Sequence, residues 1–169
     1  VYLNTLLYSN WIEIFSGIKD QVEIFTLLNE KDMEYIPKYF LPDEAHTIIY
    51  NEPQLTNLSV YLHKRPQALN SKLLVLFYNS IGLNLKDFSR IFNLIQTDEP
   101  SIVIGKSDND KIILACTYGL DGELVDPIIT ANRKYANYLS SISAKDIFIH
   151  TLEVLLSIDN FEDIKKLYI

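Results

Sequence analysis

The sequence predicts an α+β fold, a predominantly helical single domain over residues 1–169 with a central antiparallel β-hairpin and a C-terminal helical pair. Three observations predict it. A chain of 169 residues with 48% hydrophobic content can fill one continuous core. Short polar residues followed three positions later by an acid recur ahead of apolar stretches, the pattern of capped helix starts. Two β-branched runs flank a short polar connection of hairpin length.

From the N-terminus, Asn10 with Glu13 and Asp20 with Glu23 read as the first two helix starts, and Gly17 can end the first helix. His46–Tyr50 and Asn57–Leu62 read as a pair of strands, because Pro53 between them forbids one continuous strand. The apolar run Lys72–Tyr78 fits a buried strand or a buried helix, and its leucines and its place before Gly82 favour helix. Asn84 with Asp87 opens a helix from Leu85 to Gln96, with Leu85, Phe88, Ile91, Phe92 and Ile95 on one face. The hairpin follows: Ser101–Gly105 and Lys111–Tyr118, joined by Lys106, Ser107, Asp108, Asn109 and Asp110.

In the C-terminal third, Asp126 before Pro127 reads as a cap followed by proline at the first helical position. Ile128, Ala131, Tyr135, Leu139 and Ile142 then mark one helical face. Ser143 with Asp146 starts a second helix, Ala144–Ser157, apolar nearly all round and therefore expected at the centre of the core. Asn160 with Asp163 starts a last short helix from Phe161 to Tyr168.

The net charge of −7 is uneven: −6 over residues 1–63, +4 over 64–90 and −5 over 91–169. Nucleic-acid binding normally needs a basic stripe, and only Lys64, Arg65, Lys72, Lys86 and Arg90 offer one, so nucleic acid is not an expected partner. The lone Cys116 cannot form an internal disulfide, which favours a reducing, cytoplasmic setting. No apolar stretch approaches the roughly 20 residues that cross a bilayer, so no membrane association is expected.

Chemical motifs fail on inspection. Gly105-Lys106-Ser107 follows a strand, but position 100 is proline where a phosphate loop needs glycine, and no helix follows. A calcium loop starting at Asp108 would need glycine at 113 and glutamate at 119, where Ile113 and Gly119 stand. His46, His63 and His150 have no metal-ligand spacing, and neither Cys116 nor any serine sits in a nucleophile motif. No catalytic residue, cofactor or metal is expected.

Acidity, eleven tyrosines and missing catalytic motifs together predict a non-enzymatic domain that binds a basic protein. In type, not in motif, this resembles an immunity or antitoxin protein that occludes a basic toxin. The expected contact residues are Asp108, Asp110, Tyr118, Asp121 and Glu123, gathered at one end of the hairpin. Two alternatives stand beside it: an enzyme whose carboxylate or histidine site is assembled only by the fold, and an adaptor with a helical groove.

Overall fold

In a computed structural model, residues 2–18, 20–36, 46–51, 57–65, 69–130 and 133–165 are described. The chain divides into two compact units, residues 1–55 and 56–169.

The first unit begins with helix α1 (Tyr2–Ser16), which runs straight through Asn10, so Asn10 is not a cap. Leu7 and Trp11, four residues apart, are buried on one face, and Trp11 stacks on Phe15 at 5.5 Å. The helix ends where Gly17 donates to the Ile14 carbonyl, and Asp20 then lies in a turn, where the second expected helix is absent. Strand β1 (Thr26–Asn29) leads into a 3₁₀ turn (Glu30–Tyr35), capped by the Asn29 side chain accepting from the Lys31 amide at 3.0 Å. Strand β2 (Thr47–Tyr50) pairs parallel with β1, Thr26 opposite Thr47. Of the expected strand His46–Tyr50, residues Thr47–Tyr50 are extended and His46 lies in a turn, and the strand's partner is β1. The other half of the expected pair, Asn57–Leu62, holds the short helix α2 (Leu58–Leu62) in the second unit.

The second unit is built on a mixed sheet of β3 (Lys72–Leu76), β5 (Ser101–Lys106), β6 (Ile112–Tyr118) and β7 (Phe148–Thr151), in the spatial order β3-β6-β5-β7. Both β3 and β5 run antiparallel to β6, and β7 runs parallel to β5, so β3, β5 and β7 share one direction. A two-residue strand β4 (Ser80–Ile81) pairs with β8 (Leu156–Ser157). Helices α3 (Leu85–Leu94), α4 (Gly122–Thr130), α5 (Tyr135–Ile142) and α6 (Phe161–Lys165) complete the described elements.

The molecule is therefore a mixed α/β structure, not a predominantly helical one with a central hairpin and a C-terminal helical pair. The strands at 101–106 and 112–118 do pair antiparallel, but as neighbours within a larger sheet. Their residues are buried throughout, apart from the last residue of each strand, as expected of strands covered on both faces. The run at 72–76 is a strand because β6 offers it a pairing edge. The expected central helix 144–157 is instead β7, an extended connection and β8, since Phe148, Ile149, His150 and Thr151 line up on β5. Continuous apolar character suits a buried strand and a buried helix alike, and pairing decides between them.

The expected helix from Pro127 to Ile142 is two helices, interrupted around Arg133, whose φ is 61°. Pro127 lies inside α4, which Asp121 starts by accepting from the Glu123 amide at 2.9 Å. Asp126 serves α2 instead: its two carboxylate oxygens accept from the Ser59 amide at 2.8 Å and the Ser59 hydroxyl at 2.6 Å. Two expected starts do form, Asn84–Asp87 as a full capping box on α3 and Asn160–Asp163 on α6. Pro53, Ala131 and the expected helix end at Tyr168 lie outside the described residues.

The core gathers Ile102, Ile104, Ile112 and Ala115 from the sheet with Leu124, Ile128, Tyr138 and Ile142 from α4 and α5. Among the described residues, no helix is long and apolar enough to cross a membrane.

Candidate functional site

Where parallel strands share a direction, ligands bind beyond their carboxyl ends, because the chain leaves there in loops free to carry polar groups. In the second unit that edge lies beyond β3, β5 and β7 and holds the start of β6. The chain brings four cations to it: Lys106 at the end of β5, Lys111 just before β6, and Arg133 and Lys134 from the segment between α4 and α5.

That segment is stitched to the edge by backbone. Arg133 accepts from the Ile112 amide, Tyr135 donates to the Asp110 carbonyl at 2.9 Å, and Lys111 bridges Lys134. Among the described residues, the only two non-glycine positions with positive φ are Asp110 (57°) and Arg133 (61°), joined through these contacts. A left-handed residue with a Cβ costs about 1–2 kcal/mol, and such strain tends to collect where a structure holds a functional geometry.

Asn79 follows β3 and is almost fully buried. Its amide nitrogen donates to Asp159 at 2.7 Å, and its amide oxygen accepts from the Arg133 guanidinium at 3.1 Å. Asp159 also accepts from Lys111 at 2.7 Å, and the Asp163 carboxylate fixes the backbone of Asp159 by accepting its amide at 3.0 Å. Arg133 further donates to the Ile112 carbonyl at 3.1 Å and lies over the Phe77 ring at 3.9 Å. Burial lowers the Arg133 pKa below its ordinary value, and the charge of Asp159 partly offsets this. Every direct partner of this guanidinium among the described residues is neutral: an amide, a carbonyl and a ring.

Beside this group, Lys106 pairs with Asp110 at 2.9 Å and lies 4.8 Å over the Tyr135 ring, whose hydroxyl meets Thr151 at 2.9 Å. The Lys106 hydrogen bond holds the Asp110 carboxyl below its usual range. Lys106 and Ser107 of the rejected phosphate-loop triplet thus form a strand end and a turn, as their spacing implies.

The five expected contact residues are not brought together. Asp108 and Asp110 lie in the turn before β6, while Tyr118 ends that strand and Asp121 and Glu123 follow it. The length of β6 from Ile112 to Tyr118, roughly 20 Å at about 3.3 Å per residue step, separates the two sets. Asp121 and Glu123 both bind Lys145, at 3.0 and 2.7 Å, and Glu123 followed by Asp121 raises the Lys145 pKa. The histidines are likewise dispersed: His46 faces Glu23 at 3.7 Å in the first unit, His63 caps α2, and His150 sits on β7, not in a buried helix. Asn79, Lys111, Arg133 and Asp159 were not marked by any motif. The available signal was the placement of Asn79 and Lys106 just after apolar runs, which becomes informative only once both runs are known to be strands of one direction.

A shallow depression of about 480 Å³ over the 3₁₀ turn of the first unit is lined by Glu30, Lys31, Asp32, Glu34 and Tyr35. Its residues are near neighbours on one exposed turn, with no convergence from elsewhere in the fold.

No family model and no curated protein matches the chain. A crystal structure from Desulfovibrio desulfuricans G20, provisionally described as a nucleotide-diphospho-sugar transferase, is similar over 96% of this chain and 73% of its own, with a TM-score of 0.67 and 11% identity. That likeness is one of fold, and it replaces the expectation of a non-enzymatic immunity or antitoxin protein: the chain has the architecture of that α/β structure, and the acids on which the expectation rested are split between opposite ends of a strand.

Proposed function

We propose that the second unit binds a nucleoside-diphosphate sugar at the carboxyl edge of its mixed sheet, with the diphosphate as leaving group of a glycosyl transfer. The observation that carries this is Arg133, a partly buried guanidinium whose direct partners among the described residues are all neutral. A charge removed from water is normally matched by an opposite charge, and a ligand phosphate supplies one in the geometry a guanidinium prefers. The fold likeness names the chemical class, and Tyr78, exposed beside Arg133, offers a ring to a base or sugar. In the transfer, the bond from the anomeric carbon to the diphosphate oxygen breaks, an acceptor hydroxyl oxygen bonds to that carbon, and the hydroxyl proton passes to the departing diphosphate or to water. Fixed cations then stabilise the charge that gathers on the departing diphosphate. The single buried thiol, with no disulfide, supports a reducing cytoplasmic setting for this activity.

The test is calorimetric titration with the UDP-, GDP-, ADP- and CDP-sugars. One of them is expected to bind, and Arg133→Ala to weaken that binding by tenfold or more, since charge-assisted bonds contribute about 1.5–3 kcal/mol. Absence of binding to all four, or an Arg133→Ala variant that binds as the parent does, would overturn the reading.

A further inference from the structure

We infer that this site neutralises a diphosphate with side-chain cations in place of a divalent metal ion, and that Asp159 acts as an internal competitor for the diphosphate. The inference rests on the proposed nucleotide-sugar site and adds how its charge is handled. A divalent ion needs several oxygen ligands converging on one point. The described residues of this edge converge differently. Asp159 is the one carboxylate that reaches Asn79, and its two oxygens are already engaged by the Asn79 amide and the Lys111 ammonium, both at 2.7 Å. Asp110 is held by Lys106 at 2.9 Å. Four cations stand where a metal site would gather acids: Lys106, Lys111, Arg133 and Lys134.

The same contacts define a second role for Asp159. Its carboxylate presents two anionic oxygens to one amide donor and one ammonium, which is how a phosphate would engage them. A bound phosphate displaces the Asp159 oxygens from Lys111 and Asn79 and adds Arg133, the cation whose direct partners are neutral. Asp159 thereby lowers the affinity for anions and keeps Lys111 neutralised when no ligand is present. The two mechanisms predict opposite signs for one substitution. A carboxylate that holds a metal is required for binding, whereas one that competes with the ligand hinders it.

The experiment measures binding of UDP, GDP, ADP, CDP and inorganic pyrophosphate to the full chain in 1 mM EDTA, and again in about 5 mM magnesium or manganese, using the parent and the Asp159→Asn and Lys111→Ala variants, each checked by circular dichroism. Asparagine keeps the size and one acceptor of Asp159, so the fold is retained. The expected result is binding in EDTA within about threefold of that with metal, strengthened about three- to tenfold by Asp159→Asn and weakened about tenfold by Lys111→Ala, on the scale of one charge-assisted contact. Binding that needs the metal, together with loss of affinity in Asp159→Asn, overturns the inference and leaves the nucleotide-sugar reading standing. No binding of any probe with or without metal overturns both.

Discussion

Burial disfavours charge at both Cys116 and Arg133, and the two side chains respond according to their chemistry. The thiol stays neutral. Burial within β6 pushes it up to about 12, with the Lys72 charge a smaller, opposing influence. Because the thiolate is the nucleophile, native protein at pH 8 should resist iodoacetamide, and labelling should appear only as the chain unfolds in urea. Native-state labelling at the rate of an exposed thiol would contradict the burial of β6. The guanidinium has no neutral form near physiological pH, so Arg133 carries its charge into the site and meets an amide, a carbonyl and a ring. Nothing about Arg133 in the linear chain separates it from the other fourteen bases. Its significance comes from a left-handed backbone and from the direction of strands far away in sequence, and neither is a local property.

Elements were legible where local chemistry alone decides them. The Asn84–Asp87 capping box is reciprocal within four residues, and the strands at 101–106 and 112–118 are joined by a turn that needs no distant partner. They were illegible where a distant partner decides. Residues 148–151 become a strand because β5 presents a parallel edge, and Asp126 looked like the cap of its own helix but bonds Ser59, 67 positions away. Asp126 therefore holds α2 against α4, where Gly122 is the small residue that permits the approach: a Cβ there would lie 3.1 Å from the Ser59 hydroxyl. Asp126→Ala would leave the Ser59 amide and hydroxyl without this partner in a nearly buried position. The expected cost is about 1–3 kcal/mol, read from the midpoint of urea unfolding at unchanged slope. An Asp126→Ala variant as stable as the parent would show that α2 and α4 associate through apolar contacts alone.

At the scale of the molecule, the second unit is layered in stability because its sheet is layered in pairing. Strands β6 and β5 have neighbours on both sides, β3 and β7 on one, and β4 with β8 forms a two-residue pair. Amide exchange tracks local opening, so the β5 and β6 amides should exchange slowest, at rates approaching those of global unfolding, and those of β4 and β8 much faster. The edge strand β7 supplies the sharper test. Phe148 donates to the Pro100 carbonyl at 3.0 Å, and Leu152 to that of Ile104 at 2.9 Å. A strand paired on one side turns alternate amides away from its neighbour, so Phe148 and Leu152 should be protected while Ile149 and Thr151 exchange quickly. A buried helix over the same residues would protect every amide in the run, since each would donate to the carbonyl four residues earlier. Alternating protection from 148 to 152 therefore separates the mixed sheet from the helical arrangement. Uniform protection would remove β7 from the sheet, and with it the parallel pair β5 and β7, on whose carboxyl edge the proposal of a ligand site at Asn79, Lys111, Arg133 and Asp159 rests.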